Sequence, residues 1–400
     1  MNNTKQRSFV NILIPLFSVL LGMIIGGLVM LIMDYNPIEG YKALIEGAIG
    51  SPFYIGETMR QAAPLILVSL GFAVANIAGF FNIGVAGQTL LGWLGSVSFA
   101  LFFPDLPGPV LLVLSIIVGA IAGALWAGIA GALRAFFGTS EVIVTIMLNY
   151  VSLHMTNYVI RNVLTDSADT TDRIPEAANL RMEWLTSLTE NSTIHAGIFI
   201  AIIMAFVIWF LLKKTTLGFE IRAVGLNPSA SRYAGMSTKR IIILSMLISG
   251  ALAGLGGAME GMGNYRNIFV QGSVPSVGFD GLAVALLGMS HPIGIIFASL
   301  LFALLKIGGT SMPMRTGLPI EIVDIIIAFI IFFVGANYII RFFIDRRVKK
   351  NDLKLQAVVT ATGEVETTED SALMENEQLL QGTTTSNERE TQEDDQGGRN

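Results

Sequence analysis

The chain has 400 residues, 52% hydrophobic and only 14% charged, with no cysteine and a mean hydropathy of +0.64. Several apolar runs exceed the ~20 residues that cross a bilayer, so a soluble domain is excluded, as are disulfides and thiolate metal sites. The net charge of −5 averages two regions: residues 351–400 hold twelve acids and three bases, whereas the rest hold 22 bases and 18 acids. That modest excess suits an inner membrane face, not a nucleic-acid surface.

Lys5 and Arg7 precede an apolar run from Phe9 to Met33. It is too long for a signal-peptide core and lacks an evident cleavage site, so it is read as a retained first span. Within it, Gly22 and Gly26 have the spacing that lets helix backbones approach closely. Residues 34–61 mix four acids with two bases and are assigned to an outer loop. The second span, about 62–79, is entered through Pro64. The chain then reaches Asn76 to Gln88, with glycines at 79, 84 and 87 and amides at 76, 82 and 88, where the helix is expected to break.

A third span runs to Phe103, and Pro104 to Pro109 forms a turn. A glycine-dense fourth span covers about 109–133, and a fifth, opened by Glu141, covers about 140–160. Residues 161–193 carry six acids and three bases and are placed outside. Span six, about 194–212, leads to a polar island at 213–240 with six bases and one acid, which the positive-inside rule places in the cytoplasm. Within it Asn227 suits an N-cap and Pro228 the first helical position. A two-turn helix to Ala234 is predicted, with Gly235 as its left-handed C-cap.

Span seven, about 241–262, carries the pairs Gly250/Gly254 and Gly257/Gly261, which predict tight packing on a neighbour. Residues 263–280 read as an outer, partly re-entrant segment. A short span eight covers about 281–289, span nine runs to about Gly309, and span ten covers about 320–341. Arg341, Arg346, Arg347, Lys349 and Lys350 stop the last span inside.

The expected fold is thus an all-α polytopic membrane protein of about ten helices, with both termini cytoplasmic. Spans 2–5 and 7–10 share a pattern and would form two halves of inverted topology, as in many transporters. Residues 1–350 make the membrane domain. Residues 351–400 make an acidic cytoplasmic tail, expected to be disordered because it has few apolar residues.

No Gly-Lys pair occurs anywhere, so the chain has no phosphate-cradling P-loop. No His-Glu-x-x-His or Gly-x-Ser-x-Gly occurs either, and no enzyme, cofactor or metal site is expected. His154, His195 and His291 read as satisfied structural histidines. The polar residues within spans are mainly amides: Asn76, Asn82 and Gln88 at the break, and Asn149 in span five. With Phe81 they could hydrogen-bond and stack on a neutral, ring-containing solute; interhelical hydrogen bonding is an equal alternative. Glu141, Glu260, Asp280, Lys306 and Asp324 lie near span ends, where snorkelling or loop contacts explain them. Acids at mid-depth are scarce, which disfavours a proton-coupled carrier. The residues alone leave three possibilities open: a subunit driven by a partner, a carrier or channel working alone, and a membrane scaffold.

Four stretches in order carry a family resemblance: Phe81 to Gly84 with Gly87 and Gln88, Glu141 to Tyr150, Gly218 to Gly235, and Gly278 to Gly288. The chain resembles permease subunits of bacterial ABC importers serving branched-chain amino acids, ribose-type sugars and nucleosides, and among them the nucleoside group. It departs from that group at Ala86, often an acid, and near Met289, often basic. The resemblance implies a multi-pass protein of the bacterial cytoplasmic membrane, energised by a separate ABC ATPase. It also implies an extracellular substrate-binding lipoprotein and a second, homologous permease in a heterodimer. The stretch 214–240 matches the family's coupling loop, which assigns ATPase contact to Gly218, Glu220, Arg222, Ala223, Gly225, Asn227, Pro228, Tyr233, Ala234 and Gly235. Asn76, Phe81, Asn82, Gln88 and Asn149 become the expected pathway residues.

Overall fold

The computed structural model describes residues 2–319 and 321–335, and these are almost entirely helical. In chain order the helices are α1 (Asn2–Ile32), α2 (Pro37–Ile49), α3 (Pro52–Ile77), α4 (Val85–Phe102), α5 (Gly108–Phe137), α6 (Glu141–Val159) and α7 (Glu183–Leu188). Then come α8 (Gly197–Lys214), α9 (Thr216–Leu226), α10 (Pro228–Tyr233), α11 (Thr238–Met259), α12 (Ser276–Leu287), α13 (Pro292–Thr316) and α14 (Glu321–Gly335). Eight are long and apolar enough to cross a membrane, and α12 is a shorter apolar helix. The described part is therefore a polytopic helical membrane protein. The basic cluster at 341–350 and the tail at 351–400 lie outside the described residues.

The middle of the molecule is α3, whose residues from Ala62 to Ala75 are all buried. α3 is buried because α11, α12, α13 and α8 pack against it. Against it α4, α5 and α11 form a triad in backbone contact. A Cβ on Gly250 would lie 2.3 Å from the Gly123 carbonyl oxygen, and one on Gly254 would lie 2.4 Å from that of Gly119. On the α4 side a Cβ on Gly257 would lie 1.9 Å from the Thr89 oxygen. Only glycine permits these distances, so the small-residue pairs of span seven act as expected, through dispersion contact in a medium with no hydrophobic driving force. Gly22 and Gly26 likewise face Ile330 and Ile326, pairing α1 with α14.

The two largest differences from the expected boundaries lie before residue 62. Residues 34–61 are not a loop. Asn36 caps α2 by accepting from the Ile38 N–H, with Pro37 at the first helical position. Gly40, Ala43, Leu44 and Gly47 bury its inner face, with Gly47 against Ser311 of α13 and Leu44 against Gly308. Glu39, Lys42 and Glu46 interrupt the hydropathy of this stretch and hide the helix from a span search. Their charges lie away from that face, where Glu46 pairs with Arg315 of α13. α3 also starts ten residues before the expected position, at Pro52, capped by Ser51 and continuing through Pro64. A third difference concerns Lys306: it does not snorkel but donates to Asp280 of α12.

The polar segment after α6 is strapped to the segment after α11. Thr171 N–H donates to the Ile268 oxygen (3.0 Å), Ile174 N–H to that of Arg266 (2.8 Å), and Val270 N–H to that of Asp169 (2.8 Å). Arg181 adds bonds from Nε to the Gly263 oxygen and from Nη2 to the Asn264 oxygen. Residues 266–271 are thus held as a strip at the end of α11 remote from the basic segment.

Candidate functional site

The polar island folds as two short helices. Thr215 caps α9 by accepting from the Gly218 N–H at 3.1 Å, and Asn227 caps α10 by accepting from the Ala230 N–H at 3.0 Å. Pro228 occupies the first position of α10, and Gly235 follows it at φ +84°. The cap, proline and left-handed glycine stand as the residue types predict; the separate helix α9 was not foreseen.

The residues assigned to the coupling loop separate into two groups. Gly218 and Gly225 are packing positions: a Cβ on Gly218 would lie 2.0 Å from the Leu211 oxygen, and one on Gly225 1.9 Å from the Ile77 oxygen. Ile221 and Val224, between them, are fully buried. Asn227, Pro228, Tyr233, Ala234 and Gly235 are exposed, as are Arg232 and Leu226; Tyr233 is 95% and Leu226 88% accessible. Glu220, Arg222 and Ala223 lie half-buried between these groups. So α9 is wedged into the membrane domain up to its exposed last residue, Leu226, while α10 presents Tyr233 on the same basic segment, and no described residue covers either side chain.

The far side of the Gly225 contact is the break between α3 and α4. Gly79 turns it at φ +85° and also faces Gly225. Beyond it the amides form a closed knot. Asn82 Nδ2 donates to Gln88 Oε1 (3.0 Å) and to Ser249 Oγ of α11 (2.9 Å). Asn82 Oδ1 accepts from Gln88 Nε2 (3.1 Å) and from the Gly84 N–H (3.0 Å). Asn149 of α6 accepts from the Gly87 N–H (2.8 Å) and donates to the Ile83 oxygen (3.1 Å). Gly84, at the N-cap of α4, has no side chain to satisfy the first-turn N–H groups. Asn82 and Asn149 do so from outside the helix, and all three amides are buried.

Asn76, on the last turn of α3, donates instead to Ser290 Oγ (2.9 Å) in the turn between α12 and α13. Phe81 is 37% exposed and packs edge-on against Phe72 at 5.1 Å between centroids. The structure therefore unites Asn82, Gln88 and Asn149, which sequence spacing could not do. It adds Ser249, missed because a serine in a glycine-rich span gives no signal of its own, and keeps Asn76 and Phe81 apart from the knot. His195, expected to be structural, is buried and doubly bonded, accepting at Nδ1 from the Gly197 N–H and meeting Asn264 Oδ1 through Nε2.

Among the described residues, a bundle of membrane-crossing helices holds a break in its core against α9, and the exposed α10 follows directly on α9. Residues 54–335 match the family described as branched-chain amino acid transport system / permease component, and the chain belongs to it. It is 49% identical over 340 residues to the guanosine ABC transporter permease protein of Bacillus subtilis, covering 85% of this chain and 97% of that one. It is 48% identical over 346 residues to the nucleoside ABC transporter permease protein of Lactococcus lactis, covering 85% and 94%. A glucose ABC transporter permease protein of Haloferax volcanii is 33% identical over 330 residues, covering 80% and 86%. No solved structure matches the chain.

Proposed function

We propose that this chain is a membrane permease subunit of an ABC importer for nucleosides in the bacterial cytoplasmic membrane. It has no ATP site of its own. A cytoplasmic ABC ATPase docks on α10 and an extracellular lipoprotein delivers the solute. A second, homologous permease completes the pathway as a heterodimer, each chain supplying ten crossings in two inverted halves.

The observation that carries the mechanism is the contact of Gly225 with Ile77, which leaves no slack between α9 and the α3–α4 break. A push on α10 reaches the N-terminus of α4 through that contact and the amide knot behind it. The site residues then divide by role: Tyr233 and Ala234 meet the ATPase, while Gly218 and Gly225 transmit. Asn82, Gln88 and Asn149 serve the pathway by positioning α4, because their hydrogen bonds are already made within the chain, and Asn76 ties the same hinge to the α12–α13 turn. The nucleoside assignment rests on the two relatives near 49% identity; the more distant glucose permease keeps a sugar as the competing solute.

The test is uptake of labelled guanosine, ribose and leucine in a deletion strain complemented with the gene. Guanosine uptake is expected to require the gene and an ATPase partner able to hydrolyse ATP, and to persist when the proton gradient is collapsed. Loss of ribose or leucine uptake with guanosine unaffected overturns the substrate. Uptake by proteoliposomes holding this chain alone overturns the subunit role.

A further inference from the structure

The knot amides are spent on the fold; a second polar cluster is not. A cavity of about 310 Å³ opens between α3, α4 and the strip after α11, lined among others by Gln61, Trp93, Glu260, Tyr265, Phe269 and Gln271. Its size is at the lower end of the ~300–1,000 Å³ of small-molecule sites, which suits a single small solute.

One wall is aromatic. Trp93 and Tyr265 stack at 5.0 Å with their planes 17° apart, and Phe269 meets both edge-on at 5.5 Å. Trp93 is buried and its ring is fixed by Nε1 donating to the Asn267 oxygen (2.8 Å). Tyr265 is 52% exposed, so a ring face remains accessible.

The polar groups opposite are underused. Glu260 Oε2 accepts from Asn264 Nδ2 (2.7 Å), and Asn264 in turn meets His195 at 3.1 Å. This relay fixes the carboxyl while Oε1 takes no hydrogen bond from the described residues. The Gln61 amide has no bond there either. Gln271 is held by its backbone to Asn157, yet its Nε2 is buried without a partner. Buried polar groups in a finished fold are nearly always paired, so the unpaired Gln271 Nε2 beside an aromatic wall, with Glu260 Oε1 and the Gln61 amide next to it, suits a ligand.

We propose that this cavity is a station for the transported solute within this subunit, taking a planar heterocycle with N–H or O–H donors. The ring stacks on the Trp93–Tyr265–Phe269 wall. Glu260 Oε1 accepts from the donors on the base edge or the sugar, and Gln61 and Gln271 bond the remaining polar atoms. This rests on the nucleoside reading above. It ties the station to the energy input, because α4 carries both Gln88 of the knot and Trp93 of the wall, five residues apart.

The experiment measures equilibrium binding of labelled guanosine to the assembled transporter in nanodiscs, without the lipoprotein, alongside maximal uptake in cells. Tyr265→Ala and Glu260→Gln are expected to weaken binding at least about fivefold, the low end of a base–aromatic stacking contact. Both should lower uptake with membrane abundance and basal ATPase activity retained, and Tyr265→Phe should restore binding. Gln61→Ala, which removes no bond within the chain, guards against a folding artefact and should also weaken binding. Inosine and 2′-deoxyguanosine as competitors tell whether Glu260 reads the base edge or the sugar. Wild-type transport of guanosine with unchanged binding in all of these variants overturns the station and leaves the function standing. Failure of the wild-type transporter to take up any nucleoside overturns both.

Discussion

Gly225 and Ile77 are in backbone contact: a Cβ on the first would stand 1.9 Å from the carbonyl oxygen of the second. One belongs to the polar segment outside the membrane helices, the other to the last turn of the most buried of them. No flexible side chain lies between the two to absorb movement.

Gly225→Ala is accordingly expected to separate α9 from the break. Energetic coupling between sites is commonly ~1–3 kcal/mol, so ATP-driven uptake should fall ~5–150-fold. Membrane abundance and ATPase co-purification should be retained, because α10 is untouched. Normal uptake by this variant would remove the contact from the coupling route.

Tyr233→Asp tests docking by itself. At 95% exposure the side chain supports nothing in the fold, and the variant should insert normally. An exposed aromatic at the centre of an interface is worth ~2 kcal/mol or more, so ATPase co-purification should drop ~30-fold. Asn227→Ala, which deletes the cap, should do the same more weakly, at about 1 kcal/mol, and Asn227→Ser should restore it. Undiminished pull-down with Tyr233→Asp would place the ATPase elsewhere.

Asn82→Ala leaves the Gly84 N–H, Ser249 and Gln88 without their partner in the interior. Each abandoned buried group costs ~1–3 kcal/mol. The thermal midpoint in detergent should therefore drop by several degrees, while guanosine binding to the protein that remains folded is unchanged. A normal midpoint with weakened binding would make Asn82 a solute contact and not a hinge.

His195 gives a pH dependence with a defined sign. Burial pushes its imidazole down to about 4, against the favourable Asn264 bond. The folded state therefore holds it neutral, whereas the unfolded chain protonates it near its ordinary 6.5. Between these values the unfolded state binds more protons, so stability rises with pH and is lost as pH falls from 6.5 towards 4. Protonation also takes away the Nδ1 lone pair that accepts the Gly197 N–H. The stability of the wild-type protein should fall through that window by an amount on the order of 3 kcal/mol, lowering its thermal midpoint, and His195→Gln should flatten the profile. An unchanged slope in the variant would assign the acid sensitivity to another group.

What could be read before folding was whatever depends on neighbours along the chain. Membrane helices follow from uninterrupted apolar length, and the α10 caps from Asn227, Pro228 and Gly235 acting within one turn. The small-residue pairs of α11 announce close packing because their spacing lies on one helix face. α2 escaped because its charges mask a helix whose buried face exists only against α13.

The polar island itself, its sign and its cap, and the lack of a P-loop in the chain were determined by sequence. Tertiary structure decided that Gly225 touches the break 146 residues earlier. It also decided that Asn82, Gln88, Asn149 and Ser249 close on one another, while Gln271 Nε2 is left unpaired in the cavity beside Trp93. An amide's composition is the same in both places; whether it holds the fold or awaits a ligand depends on which donors and acceptors the packing of distant helices brings within 3 Å or so of it.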